Sequence, residues 1–295
     1  MTDQKHSILV LGATGRQGGS VAKALLKAGW NVRALVSDPG KPAALALQEA
    51  GVELMRGSFE DMETVRAAMK GAHGVFSVLP GNLAAEQEER YGTSIADLAV
   101  ESDIAHFVYS SGASVGDRPT GVARFDAKPH IEAHIRELPI TATIIRPTIF
   151  MEMLVRPGFG LDRGQLLSLI RPEDFIQLTA VDDIGKFVAS IFADRERFGG
   201  VTMRIASDRL SGHDLEAAMT EVAGRQISYA RLPDEVLEAS PDLSHMARSL
   251  EDGPLSVRVD LDAMRAINPE LLTFRTWLAT VGLKAFRDAI GLGEG

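Results

Sequence analysis

Gly12-Ala13-Thr14-Gly15-Arg16-Gln17-Gly18 is the stretch that decides how this chain folds. The apolar run Ile8-Leu9-Val10-Leu11 precedes it, and Val21, Ala22, Leu25 and Leu26 recur after it at helical spacing. The glycines therefore mark a sharp turn from a strand into a helix, which Gly29 then stops. A three-glycine spacing alone also fits any glycine-rich strand-to-helix turn. Here the strand before, the amphipathic helix after and a second strand beyond supply the context of a dinucleotide-binding loop. In such a loop a pyrophosphate rests on free helix N–H groups, where the helix dipole favours negative charge. The expected cofactor is NAD or NADP.

Further along, short apolar runs alternate with helix-like segments, the pattern of a parallel sheet covered on both faces. Candidate strands are 8–11, 31–36, 52–55, 75–78, 106–109 and 141–145, with helical stretches at 43–51 and 62–71. In the latter, Val65, Ala68 and Met69 form the apolar stripe. The fold expected is α/β, a Rossmann-type doubly wound parallel sheet with a smaller, mostly helical C-terminal substrate lobe. Residues 1–154, completed by about 177–200, form the dinucleotide-binding domain in this reading. Residues 155–176 and 201–295 form the smaller lobe. The stretch 155–174 has two prolines and three glycines with little periodicity, which predicts a long loop over the site.

A chain of 295 residues can bury a substantial core without staples. It contains no cysteine, which excludes disulfides, thiolate nucleophiles and cysteine-ligated metals. The net charge of −9 and the lack of a basic block interleaved with aromatics argue against direct nucleic-acid binding. No signal-peptide or membrane-length apolar run is present, so a cytoplasmic, non-membrane protein is expected. No metal site is expected. His130 and His134 are four apart on an expected helix, but Glu132 between them does not give the zincin order and no third ligand is in sight. Asp182 and Asp183 read as a helix cap, Asp194-Arg195-Glu196-Arg197 as a solvated helix end, and Arg146-Pro147 as a strand terminus.

Five segments carry a family resemblance: the loop GATGRQG, the strand end Val108-Tyr109-Ser110-Ser111, Arg124-Phe125-Asp126-Ala127-Lys128 with Ile131-Glu132, Ile145-Arg146-Pro147, and Val181-Asp182-Asp183-Ile184-Gly185. Together they resemble the NmrA-like family, atypical short-chain dehydrogenase/reductases related to isoflavone-reductase-like enzymes. The resemblance spans most of residues 5–200, and Phe274 with Trp277-Leu278 is similar to the family's C-terminal helix. It implies either an NAD(P)H-dependent reductase of quinones, enones or similar small aromatics, or a non-catalytic sensor of the dinucleotide pool acting through a partner protein.

Against the wider superfamily, the usual Tyr four residues before the active-site Lys is replaced by Arg124. A guanidinium cannot donate a proton near neutral pH. The usual Ser falls near Gly112, so alcohol dehydrogenation by the common acid mechanism is not expected. Lys128 remains as the catalytic candidate, resembling the lysine that touches the nicotinamide ribose in related reductases. The cofactor-binding residues expected are Gly12, Thr14, Gly15, Arg16, Gln17, Gly18, Ser37, Lys41, Ser58, Phe59, Leu79, Pro80, Ser110 and Lys128. Hydride transfer to a quinone needs mainly a dry, apolar pocket, for which Gly112, Ala113, Phe150, Met151 and Met153 at strand ends are the candidates. Asp38 lies where a carboxylate would hydrogen-bond the adenosine ribose of NAD. The family position for a phosphate-binding Arg falls instead on neutral Ser37, and Arg16 and Lys41 could supply positive charge. The balance leans to NADP.

Overall fold

The apolar runs become strands of one sheet in a computed structural model that describes residues 6–116 and 123–292. In chain order it begins with β1 (Ser7–Val10), α1 (Arg16–Lys27), β2 (Asn31–Val36), α2 (Pro42–Glu49), β3 (Glu53–Arg56) and α3 (Met62–Met69). Next come β4 (Gly74–Ser77), α4 (Ala85–Glu101), β5 (His106–Ser110), α5 (Ala123–Glu137), β6 (Ala142–Pro147), β7 (Ile149–Phe150) and α6 (Met151–Leu154). They are followed by β8 (Gln165–Ser168), β9 (Phe175–Thr179), α7 (Val181–Ala193), α8 (Arg195–Phe198), β10 (Thr202–Ile205), β11 (Asp208–Ser211) and α9 (Gly212–Ala223). The last are β12 (Ser228–Arg231), α10 (Asp234–Glu238), α11 (Pro241–Glu251), α12 (Leu261–Ile267), α13 (Phe274–Ala279) and α14 (Leu283–Ala289). Two compact units result, Met1–Arg146 with Val181–Arg204, and Pro147–Ala180 with Ile205–Gly295.

The first unit carries a seven-stranded sheet in the order β10-β6-β5-β4-β1-β2-β3, with β3 through β6 joined by parallel pairing. Strand side chains alternate between faces, so Leu9 and Leu11 enter one core with Val65, Met69, Tyr91, Ile95 and Ile131. Ile8 faces the other way, toward Phe192 of α7, which closes over Gly74. There α1 and α7 pack so tightly that a Cβ on Gly185 would stand 2.5 Å from the Ser20 carbonyl oxygen. The six strands expected from sequence lie within two residues of β1 to β6. This is the Rossmann-type α/β sheet.

In the second unit β9 pairs antiparallel with β11 and parallel with β7, and β8 pairs parallel with β12. The loop expected over 155–174 is not a plain loop. A 3₁₀ turn at Leu161–Arg163, flanked by Gly160 and Gly164 at φ 82° and 73°, leads into β8. Its partner β12 lies some sixty residues downstream, a pairing that local periodicity cannot reveal. Buried Gln177 of β9 holds the segment before α12 in place. Its amide donates to the Val257 carbonyl at 2.8 Å and accepts from the Val259 N–H at 2.6 Å. Among the described residues no helix is long and apolar enough to cross a membrane.

Candidate active site

The strand order reverses direction beside β1, so the loops after β1 and β4 leave the sheet on opposite sides and open a crevice between them. The three glycines of the first loop serve different purposes. Gly12 has φ +74°, and a Cβ there would lie 2.7 Å from the Val78 carbonyl oxygen at the end of β4. A Cβ on Gly18 would stand 2.3 Å from the Gly12 oxygen, so α1 can begin against its own loop only if this residue has no side chain. Gly15 is exposed, and a Cβ there would meet only the Gly12 oxygen, at 3.2 Å. The protein's own demand for glycine is therefore mildest at position 15, where a backbone oxygen would have to give by a few tenths of an ångström. The stronger requirement lies in the open space ahead of the helix.

That space suits a pyrophosphate. No side chain caps α1 and no acid sits in its first turn, whereas Asp61 caps α3 and Ser211 caps α9. Arg16 instead places an exposed cation at the positive end of the helix dipole, an arrangement favoured when an anion binds there. A dinucleotide thus fits the residues present. Gln17 accepts a hydrogen bond from the Ser110 hydroxyl at 2.7 Å, which ties the loop to the end of β5. Ser37 and Lys41 are exposed beyond β2, while Asp38 accepts the Gly40 N–H at 2.9 Å and so serves its own turn. Beyond β3, the Ser58 N–H donates to Thr64 at 3.2 Å and the Phe59 ring leans on Tyr91. Leu79 is buried and Pro80 exposed beyond β4. Parallel pairing brings all these loops to one edge of the sheet.

Lys128 projects from α5 beside β5. Its Cδ and Cε pass 3.7 and 3.9 Å from where a Cβ on Gly112 would sit, and its ammonium is ion-paired with Glu88 of α4. The lysine side chain is 25% exposed and the glutamate 9%, so the pair is shielded from water enough to hold the ammonium in one place. The Tyr109 hydroxyl is buried and has no hydrogen-bond partner among the described residues. Burial first, then the Glu88 and Glu132 charges, push its pKa well above the usual phenol value, so it stays neutral.

Behind this pair, Glu132 is fully buried. It accepts from Arg146 Nε at 2.9 Å and Nη2 at 2.5 Å, and from Arg136 at 2.5 Å. Burial alone would raise its pKa, but the arginine hydrogen bonds and charges outweigh that and hold the carboxyl below its ordinary value. Arg146, read from sequence only as the end of a strand, is thus the anchor of α5 on β6. His130 and His134 pair with Glu89 and Asp97 of α4, and no metal-binding cluster occurs among the described residues. Asp194 caps α8 by accepting the Arg197 N–H at 3.0 Å.

Of the pocket candidates, Gly112 is half-buried and Ala113 buried in the first unit. In the second unit Phe150 and Met153 are half-buried, and Met151 is fully buried. The side chain of Arg124 lies outside the described residues. Sequence reading passed over Glu88. It sits among Glu86 and Glu89 in a run that looks uniformly solvated, and only the packing of α4 on α5 singles it out.

A family model described as the NmrA-like family matches residues 4–277. The chain belongs to the NmrA-like family. This NmrA-like chain is 31% identical over 250 residues to an NmrA-like family domain-containing oxidoreductase, hkm9, of Aspergillus hancockii, covering 76% of this chain and 75% of that protein. It is 26% identical over 246 residues to an NAD(P)H azoreductase of Xenophilus azovorans, covering 83% and 84%. The crystal structure of NmrA, a negative transcriptional regulator, in complex with NAD superposes with a TM-score of 0.78 at 22% identity, over 95% of this NmrA-like chain and 96% of that one. The shared architecture is the NmrA fold.

Proposed function

We propose that this protein is an NAD(P)H-dependent reductase that transfers hydride to a quinone, enone or similar small aromatic acceptor. The observation that carries the reading is the Lys128–Glu88 ion pair, held beside Gly112 at the edge of the sheet where the glycine loop and Ser110 meet. When bound, the nicotinamide supplies the hydride and leaves oxidised, while a quinone takes up that hydride and one proton to become a hydroquinone. The protein's share is to bind, orient and donate. Gly12, Gly15 and Gly18 would seat the pyrophosphate, and Lys128 would contact the nicotinamide ribose and hold a proton at Nζ. Kinship with an oxidoreductase and an azoreductase supports the class of reaction.

Removing Lys128 is the direct test. Lys128→Ala is expected to lower turnover of a responsive quinone or enone by about 10²-fold or more per folded molecule, as befits a group acting in proton transfer, and to lower the melting midpoint as well, because Glu88 at 9% exposure loses its counter-ion. Lys128→Arg should restore less than charge alone would suggest, because the guanidinium does not exchange protons near neutral pH. Consumption of NADH and NADPH against a panel of quinones and enones provides the assay. Wild-type turnover in Lys128→Ala would remove the lysine from the mechanism. Arg124 at the position of the superfamily's phenol favours a second reading, a dinucleotide sensor acting through a partner protein. Tight dinucleotide binding with no turnover across the panel would select it.

Cofactor choice follows from exposed charge. Exposed Arg16 and Lys41 would meet a 2′-phosphate, and Asp38 turns one of its oxygens to its own turn, which supports NADPH as the favoured form. Arg16→Ala/Lys41→Ala should weaken NADPH binding by roughly 10- to 150-fold and NADH binding much less. The difference should shrink as salt rises. Equal losses, or a wild-type preference for NADH, would assign selectivity to Asp38.

A further inference from the structure

Arg209 of β11 and Arg258, just before α12, stand in a groove of about 490 Å³ in the second unit. Neither guanidinium has a carboxylate partner among the described residues. The acids around them are committed elsewhere. Asp208 accepts its two hydrogen bonds from the backbone N–H groups of Arg209 and Phe274, both at 2.8 Å. Asp260 caps α12, and Asp262 pairs with Arg265 at 2.9 Å. Glu173 and Asp174 edge an adjoining groove that shares Arg209, yet neither reaches its guanidinium as an ion pair. What Arg209 has is the Phe175 ring, 3.8 Å from its guanidinium carbon, which fixes the cation without neutralising it.

Arg209 is half-buried beside the exposed Arg258, and no acid among the described residues is bonded to it to offset the cost of its burial. Burial first, and the Arg258 charge second, lower the Arg209 pKa. In a chain of net charge −9, the groove's own lining carries a small excess of positive charge, three arginines against two aspartates, with Arg265 paired to Asp262. The segment bearing Arg258 is also fixed, because Gln177 grips the backbone on both sides of it, at Val257 and Val259. The geometry points to a binding site for a small organic anion, its carboxylate or phosphate clasped between Arg209 and Arg258 and its apolar body reaching into the adjoining groove that shares Arg209, against the 48%-exposed Phe175. The groove volume is that of a small-molecule pocket.

Calorimetric titration with phenyl phosphate and with benzoate, which share a ring and differ in the oxyanion, tests the site. Benzyl alcohol serves as the neutral control. At least one anion should bind wild-type protein with Kd below about 1 mM. Arg258→Gln and Arg209→Gln should each weaken it about tenfold or more. Gly15→Val, which alters the dinucleotide loop in the other unit, should leave it unchanged. Tighter phenyl phosphate would identify a phosphate ligand, and tighter benzoate a carboxylate. No binding of either anion up to about 10 mM, equal binding of benzyl alcohol, wild-type affinity in Arg258→Gln, or loss of binding in Gly15→Val would each overturn the assignment. Arg258 is exposed, so its variant reports on binding rather than stability.

Discussion

Gly15→Val is expected to weaken binding of NADH and NADPH by about tenfold or more, while lowering the melting midpoint much less than Gly18→Ala does. A Cβ at this position meets one protein atom, the Gly12 oxygen at 3.2 Å, so the added side chain projects into the space where a pyrophosphate would lie. Gly18→Ala should behave in the opposite way. Its Cβ would press on backbone atoms at 2.3, 2.5 and 2.8 Å, and backbone cannot move aside as a flexible side chain can. A loss of about 1–3 kcal/mol in folding stability should accompany that change. Calorimetric titration paired with thermal melts separates the two variants. If Gly15→Val lowers stability as much as Gly18→Ala and binds dinucleotide normally once folded, the open space ahead of α1 is not a ligand site.

Glu132→Ala should cost about 3–5 kcal/mol of stability, because it leaves the largely buried Arg146 guanidinium without its counter-ion. Arg136, being half exposed, can turn to water and contributes less. Denaturant unfolding of Glu132→Ala, Arg146→Met and the double variant would measure the coupling. The double variant should be more stable than the sum of the two single losses implies, since removing both charges abolishes the orphan. Additive losses would show that the two residues act independently and that α5 is anchored to β6 by its apolar side chains alone.

Strands β1 to β6 were readable in the sequence because each is a short apolar-rich run in a βα repeat, whereas the seventh strand, the edge β10, lies in the stretch 201–295 that sequence assigned to the smaller lobe. The glycine loop was readable for a similar reason, since the steric demands on Gly12 and Gly18 arise from atoms close in the chain or in the next strand. The small strands of the second unit were not. Asp208–Ser211 and Ser228–Arg231 are four residues long and half polar, and their partners are set by distant segments. The likeness that drew attention to Glu132 could not disclose the bidentate grip of Arg146, which requires α5 to lie across β6. Glu88 carried no local mark at all, and the ion pair that gives Lys128 its fixed position rests on it.

The first unit is discontinuous in the chain, and this bears on how the protein is made. Its edge strand β10 and the helix α7 that packs on α1 are encoded after residues 147–180, which belong to the other unit. A ribosome adding 5–20 residues per second needs roughly 3–12 s to advance from residue 146 to residue 204. During that interval the nascent sheet lacks its last strand, and the face of α1 that receives Gly185 is uncovered. Closure of α7 over α1 is therefore a late event of synthesis, and a fragment cut after residue 146 would expose the apolar surface of an unfinished sheet to chaperones and proteases.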